Sequence, residues 1–162
     1  MNRAPTTATA DRATLTRVRR FLLLTLIASA AGMALELLLI GHFEDPLQLI
    51  PLILLTVGLV SVAWHAARPR RASALAVQLM MTLFVISGLI GVGLHYRGNH
   101  EFEREMYPSM AGLELVGKTL TGATPVLAPG SMALLGMVGL AAVYQSSPGP
   151  RSGSNITVED PT

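Results

Sequence analysis

Four histidines and ten carboxylates carry most of the reactive chemistry in this 162-residue chain, which has no cysteine. Without thiols there are no disulfides, no thiolate metal sites, no haem attached through cysteine and no thiol catalysis. His42, His95 and His100 fall at one expected level of the molecule, beside Glu44, Asp45, Glu101, Glu103, Glu105 and Glu114. Imidazole with carboxylate suits zinc, manganese or iron, and His100, Glu101 and Glu103 are the candidate metal group. Their spacing is not that of a zinc-enzyme helix, and the plainer reading is a solvated polar rim. His42 and His95, each at the outer end of an apolar run, are the only plausible axial pair for a haem or pigment. An interfacial histidine is, however, an ordinary feature.

Glu36 interrupts an apolar run, where an ionised carboxylate is costly without a partner. It is either a proton or cation site, or it reaches Arg97 or His95 and ties the run to the polar loop. Pro129-Gly130 breaks a later apolar run and could expose carbonyls as broken transporter helices do. No matching second break exists, so a packing kink is expected. No catalytic, nucleotide-binding or cofactor-attachment motif is present.

The elements that position these residues are membrane spans. The chain is 51% hydrophobic and 14% charged, and the apolar residues form long runs. Residues 1–16 read as a flexible arm and 146–162 as a loose tail, flanking a membrane domain of residues 17–145. Spans are expected at about 21–40, 46–64, 74–94 and 123–144, each near the ~20 residues that cross a bilayer. A cleaved signal peptide is the rival for the first run, but the run continues past Ala31. Asp45 followed by Pro46 reads as N-cap and first helical residue, and Pro51 as a slight bend. Trp64 and His65 are expected at headgroup level. Small residues mark helix-packing faces, Ser87 and Gly91 in span three, Ala133, Gly136 and Gly139 in span four.

The loop 95–122 is expected to form an outer lid of two short interfacial helices. Asn99 would cap the first, which ends before Pro108; Met110, Leu113, Val116 and Leu120 give the second its apolar stripe. Nine basic residues fall on the side of the termini and three (Arg97, Arg104, Lys118) on the other. By the positive-inside rule both termini face the cytoplasm. Asn155-Ile-Thr157 is a glycosylation sequon on that same side and is discounted.

Glu36-Leu-Leu-Leu-Ile-Gly-His42 with Gln48-Leu-Ile-Pro51, His95-Tyr-Arg-Gly-Asn99 with Glu101-Phe-Glu103, and Ala123-Thr-Pro-Val-Leu-Ala-Pro-Gly130 together resemble a group of small four-span bacterial integral membrane proteins. The resemblance covers roughly Phe21 to Tyr144 and implies the four-span topology; it brings no activity, cofactor or ligand. The expectation is an all-α, four-helix transmembrane bundle in a bacterial inner membrane. Its leading role is a non-enzymatic accessory or assembly subunit of a larger membrane complex, respiratory or photosynthetic complexes being examples. The alternatives are a metal-, haem- or pigment-binding protein using the outer-face His and Glu residues, and a small transporter using Glu36. Expected partners are the lipid bilayer and other membrane subunits, not nucleic acid.

Overall fold

The structure, a computed structural model, describes residues 7–144. The sequon, Arg151 and the expected tail lie outside the described residues. Five helices account for the fold: α1 (Thr7–Leu39), α2 (Pro46–Ala67), α3 (Arg71–Met106), α4 (Gly112–Leu120) and α5 (Gly130–Val143). Among the described residues there is no strand. α1, α2 and α3 are long and apolar enough to cross a membrane.

α1 starts well before the expected span. Thr7–Thr16 is helical rather than a flexible arm, because no proline falls between Pro5 and Pro46 and alanine and arginine favour helix. Thr14 and Thr16 return their hydroxyls to the carbonyls of Ala10 and Arg12, four residues back. The helix ends at a left-handed glycine. Gly41 has φ +70°, its N–H bonds to Leu38 and the N–H of His42 to Leu37, so the last orphan carbonyls are satisfied. α2 then opens as the sequence implies. The Asp45 carboxylate accepts from the Leu47 N–H at 2.8 Å, and Gln48 Oε1 accepts from the N–H groups of Glu44 and Asp45.

α3 departs most from expectation. One helix of 36 residues runs through the predicted span end at Leu94 and through Asn99 to Met106. Asn99 therefore caps nothing, and the first of the two short helices does not exist as a separate element. Gly98 costs a helix only about 1 kcal/mol and does not stop it; the stop is Pro108, which excludes Tyr107 from helical backbone. At ~1.5 Å per residue, α3 is roughly 54 Å long, far more than the ~30 Å hydrocarbon layer.

The expected fourth span also shrinks. Helix begins only at Gly130, and α5 has 14 residues. Pro125 and Pro129 each lack an N–H, so residues 125–132 turn on three-residue hydrogen bonds before α5 starts, from Ala128 to Pro125, Gly130 to Leu127 and Met132 to Pro129.

α1 packs on α2 and α5, and α3 on α2, α4 and α5. Leu26 and Ala30 of α1, Leu55 and Val62 of α2, Val77, Met81 and Phe84 of α3, and Met132 and Val143 of α5 are buried at the centre. In lipid the apolar effect does not draw helices together, so close backbone approach must. The α3/α5 seam depends on it. A Cβ at Gly136 would stand 2.5 Å from the Met81 carbonyl, one at Gly88 2.6 Å from the Ala133 nitrogen, and one at Gly91 2.6 Å from Pro129 Cβ. As α3 numbers rise, their α5 partners fall; the two helices run antiparallel.

Candidate functional site

The expected outer-face residues are placed but not assembled. Among the described residues no three His, Asp or Glu side chains form a group able to hold a metal. His100, Glu101 and Glu103 lie on one continuous helix, where successive residues point about 100° apart, so the three cannot converge. Instead His100 stacks on Tyr96 with ring centroids 6.2 Å apart. Glu101 pairs with Arg97 at 2.8 Å on the exposed surface. Glu103 is 8% exposed on the same face as Asn99. His95 Nδ1 lies 3.1 Å from the Pro125 carbonyl. A carbonyl only accepts, so Nδ1 carries the proton; the imidazole satisfies backbone in the proline-broken segment. His42 sits half-buried in the turn after α1.

Glu36 is exposed on α1. Arg97, its expected partner, is engaged by Glu101, and His95 by Pro125. Pro129 and Gly130 begin α5 against Gly91 and Val92 of α3, so the break serves packing.

Two polar clusters emerge that sequence reasoning did not isolate. The first centres on Asn99, 3% exposed. Its Nδ2 donates to the carbonyls of Thr119 (3.0 Å) and Thr124 (2.7 Å), and its Oδ1 accepts from the N–H (3.2 Å) and hydroxyl (2.7 Å) of Thr124. All four hydrogen-bonding positions of the amide are used. The side chain joins α3 to the end of α4 and to the segment leading into α5. Gly122 makes room, since a Cβ there would approach Asn99 Cγ to 2.8 Å. Thr119 is wholly buried beside it, and among the described residues its hydroxyl has no partner. α4 therefore turns Thr119 toward α3 and leaves Leu113, Val116 and Leu120 exposed. Its apolar stripe faces away from the other helices rather than over them.

The second cluster lies at the opposite, basic end. His65 is 7% exposed and Ser73 0%, so His65 is not the headgroup-facing ring expected beside Trp64. Ser73 Oγ lies 2.9–3.0 Å from the carbonyls of Arg68 and Arg70, the Arg70 N–H and His65 Nδ1. The hydroxyl has one proton, which the carbonyls take, so the imidazole Nδ1–H donates to Oγ. This knot fixes the tight α2–α3 turn. Beside it opens a cavity of about 400 Å³ lined by Thr16, Arg19, Arg20, His65 and Arg70 among apolar side chains. Arg19 Nη2 donates to the Tyr144 carbonyl at 2.7 Å, capping the end of α5 with a cation. The arginines were legible as a topology signal; their convergence from α1 and the α2–α3 turn was not. No protein-family model, no curated protein and no solved structure matches this chain.

Proposed function

We propose that the protein is a non-enzymatic integral membrane subunit of a bacterial inner membrane, crossing four times, which docks on a partner through one face of α1. The observation that carries this is the open line Ala28, Gly32 and Glu36. These residues are spaced i, i+4, i+8, so they share a ridge, and all three are exposed. A Cβ added at Gly32 would meet nothing within 4 Å. Small-xxx-small spacing lets a second helix approach closely. Glu36, one turn along, is a carboxylate that lipid would penalise and that a partner's donor would satisfy. The other small-residue faces, at Gly88, Gly91, Gly136 and Gly139, are consumed within the chain.

In this reading α5, together with the turns that precede it, is the fourth crossing, since irregular backbone is tolerated at depth where protein covers it; Val126 there is 2% exposed. Arg19 beside Tyr144 supports both termini on one side, and the basic residues at that end favour the cytoplasm. The exposed stripe of α4 suits the outer interface.

The lack of native thiols makes the test direct. In membranes, an introduced Gly32→Cys is expected to cross-link oxidatively to another chain when that chain carries a thiol near the ridge. Gly32→Leu is expected to reduce the particle extracted in mild detergent to the size of the monomer. A wild-type chain that already migrates as a monomer, with Gly32→Cys freely alkylated, sinks the reading. A product of twice the chain's mass replaces an accessory role by self-association.

A further inference from the structure

We infer that the basic-end cavity is a binding site for the phosphate headgroup of an anionic phospholipid. Three arginines, Arg19, Arg20 and Arg70, line it, and among the described residues no carboxylate does. Arg19 is half-buried and fixed by the Tyr144 carbonyl, so its planar fork is held in place before any ligand arrives. A neutral carbonyl leaves its charge uncompensated. Guanidinium matches phosphate oxygens in pairs, which makes three such groups around one cavity an anion receptor rather than a general cationic surface.

The rest of the lining identifies which anion. Leu23, Leu24 and Ile27 of α1 continue the wall from the arginines. From Arg20 to Ile27 the helix rises about 10 Å, from headgroup level into hydrocarbon. A free inorganic anion has no use for that apolar wall; a lipid, with phosphate above and acyl chains below, matches both parts. Basic pockets between helices at a membrane surface hold anionic lipids by this division. About 400 Å³ is enough for a glycerophosphate group. His65 and Ser73 act as the rigid back of the site, since their mutual hydrogen bond holds the α2–α3 turn that presents Arg70.

This inference does not rest on the partner reading: the α1 residues that line the cavity end at Ile27, and the ridge begins at Ala28. The test uses the full chain in mild detergent, titrated with phosphatidylglycerol and followed by native mass spectrometry and thermal stabilisation. Phosphatidylglycerol is expected to bind and raise the melting temperature, phosphatidylcholine to do neither, and 10-fold higher inorganic phosphate to leave the melting temperature unchanged. Arg20→Gln with Arg70→Gln, which spares the Arg19 cap, is expected to weaken phosphatidylglycerol binding at least tenfold at unchanged helical content. Arg104→Gln, outside the cavity lining, is expected to bind as wild type. Equal binding of phosphatidylcholine, wild-type affinity in the double variant, or stabilisation by inorganic phosphate equal to that by the lipid would each overturn the site as an anionic-lipid receptor. If the double variant unfolds, single Arg20→Gln on the exposed side chain decides, with a threefold or greater loss expected and no loss overturning it.

Discussion

The α3/α5 seam and the outer ridge of α1 are made of the same residue types and behave oppositely. In the seam, Gly88, Gly91, Gly136 and Gly139 are pressed so close to the other helix that no Cβ fits. On α1, Ala28 and Gly32 stand open, and 11% of the residues in its most apolar 18-residue stretch are buried, against 22% in those of α2 and α3. Small residues at helical spacing therefore do not by themselves say whether a face is internal or external. What separates the two is whether another helix of the same chain has already taken the face. The seam is where this fold gains its cohesion, since dispersion and backbone contact replace the apolar effect inside lipid.

The sharpest way to break the contrast is Gly136→Ala. Its methyl would sit 2.5 Å from the Met81 carbonyl and 2.9 Å from the Val85 nitrogen, both backbone atoms that cannot swing aside. Overpacking of this kind costs about 1–3 kcal/mol, with the upper end expected against backbone. Thermal or SDS unfolding in detergent should show a large fall in stability. Wild-type stability in this variant would mean the helices are further apart than described.

Next in size is Asn99→Ala. It removes four hydrogen bonds at one end of the seam and strands the buried carbonyl of Thr119 and the Thr124 groups. Stranded buried polar groups cost roughly 1–3 kcal/mol each, and relaxation toward water should hold the total near 2–3 kcal/mol. Proteolysis between α4 and α5 should accelerate more than global unfolding does, because this amide is what fastens that segment. Asn99→Asp should be no better, since a carboxylate offers no donor to the two carbonyls.

How much of this was readable from the residues follows from where each partner lies. The three long apolar helices, the Asp45–Pro46 start of α2 and the glycine faces of α5 were legible because their signals are local, in composition and spacing over a few residues. Asn99 was read as an N-cap, a local role, whereas its actual partners are Thr119 and Thr124, 20 and 25 residues on. His65 was read from its neighbour Trp64, but its environment is set by Ser73 on the next helix. The helix of α3 continued past Leu94 because polarity ends an apolar span without ending a helix. The cavity needed three arginines from two separated segments, and the pattern that announces them reads first as a topology signal. Local rules find elements; sites built across elements escape them.

The smallest effect sharpens the comparison most, because its sign reverses. Gly32→Ala adds a methyl where nothing lies within 4 Å. For the chain alone this should be neutral or slightly stabilising, by up to about 1 kcal/mol, as alanine loses less backbone entropy than glycine in a helix. The same methyl added at Gly136 destabilises. If the α1 ridge docks a partner helix at close range, Gly32→Ala should weaken the assembled complex while raising the stability of the separated chain, two readouts moving in opposite directions. A ridge that faces only lipid would leave the first readout untouched, because hydrocarbon accommodates a methyl at no cost. Measuring unfolding of the isolated chain and size of the gently extracted particle on the same variant thus distinguishes an interface from a lipid-facing surface.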